Sequence, residues 1–141
     1  MDFTYPENIH FECNQCGLCC GDTKEKTRHI LLLESEAHEI SAKTELPIED
    51  FAVEAPNSLP YIYEIKKPSD GKCIFLENNQ CTIYKCRPLI CRFYPFELRF
   101  DQNKETYIFN YTLECPRIGT GKAFSIKDFE ELFLLAKLRL T

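Results

Sequence analysis

Positive charge is in short supply: 17 Lys and Arg stand against 22 Asp and Glu, a net charge of −5. There is also no tryptophan and no basic arm. The electrostatic footprint of a general nucleic-acid binder is therefore missing. Only five glycines occur, Gly17, Gly21, Gly71, Gly119 and Gly121, too scattered to build a glycine-rich loop for a nucleotide or S-adenosylmethionine. No apolar run reaches the ~18 residues of a membrane span. The opening, Met1-Asp2-Phe3-Thr4-Tyr5-Pro6-Glu7, lacks the charged and apolar regions of a secretory leader. These absences predict a soluble cytoplasmic protein with neither a nucleic-acid nor a membrane partner. No internal repeat or low-complexity segment is present.

What the chain does have is cysteine: nine in 141 residues. That is too sparse for a disulfide scaffold, and the number is odd in a chain with no export signal. In a reducing compartment such thiols point to metal or redox chemistry. At 44% hydrophobic residues the chain can bury a core of its own, so a single domain over 1–141 is expected. Four cysteines fall between 13 and 20, four between 73 and 91, and one stands at 115, leaving a cysteine-free middle.

The pattern predicts a small α+β fold with short antiparallel strands, a few helices and metal-linked cysteine loops. Arg28 to Leu33 reads as a buried strand, with Ser35 capping a helix over 36–45 that ends before Pro47. Phe51 and Val53 lead into a loop at Pro56 to Pro60, and Tyr61 to Lys66 reads as a strand closed by a turn at Pro68 to Gly71. Cys73 to Leu76 and Cys81 to Tyr84 suggest a hairpin with thiols on both arms. Phe96 to Phe100 and Tyr107 to Leu113 alternate like a further strand pair. An amphipathic C-terminal helix over 125–140 opens with a capping box from Ser125 and Asp128, and carries Ile126, Phe129, Leu132, Phe133, Ala136 and Leu140 at helical spacing. Leu134, Leu135 and Leu138 widen that stripe, which either packs on its own core or docks a protein partner.

The densest signal is Cys13-x2-Cys16-x2-Cys19-Cys20, followed by Gly21. Two thiols three positions apart can point at one metal, and a glycine close by lets the backbone wrap tightly. Thiolates select zinc, copper(I) or iron–sulfur clusters over magnesium and calcium. In extended backbone Cys19 and Cys20 would feed two sites, whereas in a helical turn all four thiols fall within about 120° of arc and could share one. The second group is Cys73, Cys81, Cys86 and Cys91, and Cys115 stands alone. A metal joining the two groups would close the chain around its middle. Arg87 and Arg92 either offset thiolate charge or stack on Tyr84, Phe93 or Tyr94. Pro88 and Pro95 stiffen the backbone around Cys91. The spacing is neither that of bacterial ferredoxins nor the Cys-x3-Cys-x2-Cys of radical enzymes.

The run Phe11 to Gly21, the segment from Cys73 through Cys81, Arg87-Pro88 and Cys91-Arg92 to Phe96, and Cys115-Pro116 resemble the YkgJ-type cysteine-cluster proteins. That family, the CxxCxxCC domain, is described as zinc- or iron-chelating and resembles the cysteine-rich part of flagellin lysine N-methylase. The resemblance implies metal ligation by Cys13, Cys16, Cys19, Cys20, Cys73, Cys81, Cys91 and Cys115. Cys86 departs from the family pattern and reads as a buried, inert thiol. The resemblance to the methylase carries no implication of methyl transfer, because the chain is short and the resemblance stops at the cysteine-rich part.

His10, His29 and His38 fit non-ligand positions, and Glu12, Asp22 and Glu114 read as solvated loop residues. No nucleophile, base and orienting group can be assembled, so no catalytic residue is assigned. The expectation is a metal-binding protein with an iron–sulfur cluster of the 4Fe-4S type, for electron transfer or as accessory to an enzyme. The alternative is a zinc-stapled module that docks a protein partner through its C-terminal helix.

Overall fold

The computed structural model describes residues 3–13, 21–22, 27–68, 71–78, 80–113, 115 and 117–140. Cys16, Cys19 and Cys20, and with them the choice between an extended and a helical run, lie outside the described residues, as do Ser69 and Asp70 of the expected turn. The fold is α+β, and the chain forms two compact units, one from Met1–Asn14 with Phe93–Thr141 and one from Gln15–Arg92.

In the unit that holds both termini, β1 (Phe3–Thr4) pairs in parallel with β8 (Thr106–Tyr111), which pairs antiparallel with β7 (Phe96–Asp101). The β7–β8 register runs from Phe96 opposite Tyr111 to Asp101 opposite Thr106. Their connection is tightened by Asp101, whose carboxylate accepts the Asn103 N–H at 2.9 Å. The C-terminal helix α4 (Ile126–Leu140) buries Phe129, Phe133 and Ala136. Phe129 is fully buried, with its ring 5.0 Å from Phe96, 5.0 Å from Phe109, 4.8 Å from Phe124 and 5.3 Å from Tyr5. These separations are ordinary for favourable aromatic pairs, so the unit is held by an aromatic core. Asp128 accepts the Ser125 N–H at 2.8 Å and the Ser125 hydroxyl at 3.1 Å, the expected acid half of the cap.

In the other unit β2 (Leu31–Leu32) and β3 (Ala52–Glu54) flank β4 (Tyr63–Ile65), both antiparallel to it. Helices α1 (Glu34–Thr44) and α2 (Ile48–Phe51) supply Ala37, Ile40 and Phe51 to a core shared with Ile30, Leu32, Ala52, Ile65, Phe75 and Ile83. A two-stranded hairpin, β5 (Leu76–Glu77) and β6 (Gln80–Cys81), leads through a 3-10 turn at Tyr84–Cys86 to the short helix α3 (Leu89–Phe93).

Several boundaries differ from the sequence reading. Helix α1 starts before Ser35, because the Glu36 side chain accepts the Leu33 N–H at 2.9 Å and makes Leu33 the cap. The strand read over Arg28 to Leu33 narrows to Leu31–Leu32, with the Ile30 carbonyl also accepting the Ile65 N–H at 2.9 Å, since the Arg28 N–H is taken by Asp22 and Leu33 already opens the helix. Phe51 and Val53 belong to α2 and β3 rather than to a lead into a loop. The hairpin arms are two residues each, so only Cys81 lies on one. Cys73 instead closes a turn through its carbonyl, which accepts the Leu76 N–H at 3.0 Å. Among the described residues no helix is long and apolar enough to cross a membrane.

Candidate metal centre

Four thiols of the Gln15–Arg92 unit gather on one apolar core: Cys73 is part of it, and Cys81, Cys86 and Cys91 pack against it. Cys81 is set by β6, where it pairs with Leu76. Cys86 ends the 3-10 turn, its N–H bonded to the Ile83 carbonyl at 2.9 Å, and Cys91 lies in the middle of α3. Apolar surroundings keep water away from sulfur and strengthen electrostatic interactions there. Cys86 is a half-buried free thiol, and burial pushes its pKa up, with the charges of Glu39 and Cys81 adding to the effect and Lys43 and Arg92 opposing it.

The two cysteine-rich segments of this unit are fastened at the backbone. Gly21, the residue after Cys20, bridges antiparallel to Lys72, the residue before Cys73. The Asp22 N–H donates to the Gly71 carbonyl at 2.9 Å. A Cβ at position 21 would stand 2.7 Å from the Gly71 carbonyl oxygen, so glycine is what permits this approach. Asp22 then accepts the Lys67 ammonium at 2.7 Å and the Arg28 N–H at 2.7 Å, and Lys67 also donates to the Arg28 carbonyl. The Lys67 hydrogen bond, aided by the Arg28 N–H, holds the Asp22 carboxyl below its usual range. Asp22 is thus a clasp on the loop after the first cysteine block, while its side chain stays partly exposed.

In the unit with both termini, Cys13 is exposed and Cys115 is buried. The segment entering Cys13 runs beside the segment that follows Cys115. The Phe11 N–H donates to the Lys122 carbonyl at 3.1 Å, the Gly119 N–H to the His10 carbonyl at 2.7 Å, and Arg117 Nε to the Glu12 carbonyl at 3.2 Å.

Other donors are engaged elsewhere. His10 Nδ1 meets the Gly121 carbonyl at 3.0 Å, His29 meets Glu64 at 2.9 Å, and His38 lies 3.8 Å from Glu34. The Arg87 guanidinium sits 3.8 Å over the Tyr84 ring, the stacking alternative, while its Nε donates to the Tyr84 carbonyl. Arg92 donates to the carbonyls of Arg87 at 3.0 Å and Lys85 at 2.9 Å. Both arginines therefore staple the turn that carries Cys86, and Arg92 ties that turn to the helix of Cys91. Sequence reasoning missed Glu36, a buried acid whose two oxygens accept the Leu33 N–H at 2.9 Å and the Leu89 N–H at 2.6 Å. In sequence it is one more acid in a first helical turn.

Among the described residues no three His, Cys, Asp or Glu side chains are grouped as a metal site. The sequence-derived ligands divide accordingly. Cys73, Cys81 and Cys91 share one core, Cys13 and Cys115 lie on adjoining segments of the other unit, and Cys16, Cys19 and Cys20 are outside the described residues. The donor chemistry fits a thiophilic metal, since sulfur is what recurs around the core.

A family model described as "CxxCxxCC: Putative zinc- or iron-chelating domain" matches residues 12–116. The chain belongs to the CxxCxxCC family. Like the family it carries a domain for metal chelation. This CxxCxxCC protein is also similar to the uncharacterized protein MJ0661 of Methanocaldococcus jannaschii, with 32% identity over 141 residues, covering 96% of this chain and 71% of that protein. No solved structure matches it.

Proposed function

We propose that this protein holds an iron–sulfur cluster of the 4Fe-4S type through cysteine thiolates, and serves electron transfer or acts as accessory to an enzyme in the cytoplasm. The observation that carries the reading is the bridge between Gly21 and Lys72, which brings the backbone next to Cys20 against the backbone next to Cys73. Cys73, Cys81 and Cys91 lie around the same apolar core, an environment that shields a cluster from solvent. When bound, such a cluster would supply one-electron redox chemistry. The chain's own residues fix the ligands. Asp22 and Lys67 close the loop after the first block, and Arg92, the residue after Cys91, ties its helix to the carbonyls of Lys85 and Arg87 in the preceding turn. No residue is assigned a catalytic part.

The zinc reading draws on the family's description and on Leu134 and Leu138 of α4, which are 59% and 71% exposed and offer a docking face to a protein partner. Leu135, expected on that face, is half-buried. A cysteine-to-serine series with iron and sulfide counting tests the ligand assignment. Replacing Cys20, Cys73 or Cys91 is expected to remove the cluster, and replacing Cys86 to retain it. Full iron in the Cys73→Ser protein would defeat the assignment.

A further inference from the structure

Glu36 is 4% exposed, and its carboxylate is shared between two helix starts distant in sequence. One oxygen accepts the Leu33 N–H at 2.9 Å, a local capping interaction, and the other accepts the Leu89 N–H at 2.6 Å, 53 residues away. Leu89 is the first residue of α3, and Cys91 follows two residues later. A helix of five residues has too few internal hydrogen bonds to fix its own position, so its outside partners decide where it lies. Burial raises the pKa of the half-buried Tyr61 phenol, with the charge of the buried Glu36 adding to the shift. A charge-assisted bond in such surroundings is short and strongly directional.

We propose that Glu36 is a positioning residue for the metal centre: by clamping the first N–H of α3 it fixes where Cys91 presents its sulfur. The inference rests on Cys91 being a ligand. Groups that orient ligands without touching the metal typically change its affinity by about 10–100-fold when altered. Glu36→Gln keeps the size of the side chain and its acceptor oxygen for Leu33, but removes the charge and the second acceptor.

The test compares metal release into an excess of a colorimetric chelator from three anaerobically purified proteins: wild type, Glu36→Gln and Ile40→Val. Ile40→Val thins the buried core against which Cys91 packs, without touching either N–H. Glu36→Gln is expected to release metal about tenfold faster than wild type, with an altered visible or EPR spectrum, while Ile40→Val stays close to wild type. Equal release from the Glu36→Gln and Ile40→Val proteins would overturn the proposal. Cys91→Ser is measured alongside. If it keeps all its metal, the ligand reading and the role of Glu36 fall together; if it loses metal while Glu36→Gln behaves as Ile40→Val, only the positioning role fails. Should Glu36→Gln not fold, Glu36→Asp, which keeps the charge on a side chain one methylene shorter, takes its place under the same criteria.

Discussion

Gly21 shows how one side chain, or its absence, sets the geometry around the thiols. A methyl group there would meet the Gly71 carbonyl oxygen at 2.7 Å, in the backbone rather than at the end of a movable side chain. Gly21→Ala is therefore expected to destabilise the protein by about 1–3 kcal/mol and to lower the iron retained after purification. Thermal unfolding and iron counting check the two effects, and an unchanged melting temperature with full iron would count against the bridge. The sequence offered the reason for a glycine beside the first cysteine block but not its partner, because the contact joins positions 50 residues apart. The partner of Asp22 was hidden for the same reason, since its neighbours in sequence do not reveal Lys67. Glu36 contributes on a similar scale of energy. Truncation to alanine leaves two buried N–H groups without their acceptor and is expected to cost about 2–4 kcal/mol in chemical denaturation.

Among the elements, α4 and the β7–β8 pair were the most legible, because each repeats its apolar pattern long enough to define a face. Phe129 is the centre of the α4 face, and Phe129→Ala is expected to cost about 3–5 kcal/mol by denaturant titration. Leu134→Lys, on the opposite face at 59% exposure, is expected to stay within about 0.5 kcal/mol of wild type in the same titration. A large loss from Leu134→Lys would mean that this face is covered. The elements that escaped sequence reading are short. α2 has four residues and β1 has two, too few to show a period, and both depend on tertiary partners for their existence. The start of α1 was misplaced because a serine is the commoner cap, whereas the cap is Leu33, with its N–H satisfied by the buried Glu36.

Across the whole molecule the cysteines track the path of the chain. The passage from one unit to the other falls at Asn14–Gln15, inside the first cysteine block, and the return follows Arg92, the residue after Cys91. That the chain chelates metal was readable from thiol density and spacing alone, and the family match over residues 12–116 agrees. Which thiols share a centre was not readable, since grouping depends on long-range pairings such as Gly21 with Lys72 that leave no periodic trace. The identity of the metal is likewise beyond spacing, because zinc and iron–sulfur clusters accept the same thiolates. The most direct measurement of the central claim is the metal and acid-labile sulfide content of anaerobically purified protein, with its visible absorption and EPR before and after dithionite. The account predicts iron with sulfide and a reducible chromophore; stoichiometric zinc in a colourless protein would contradict it.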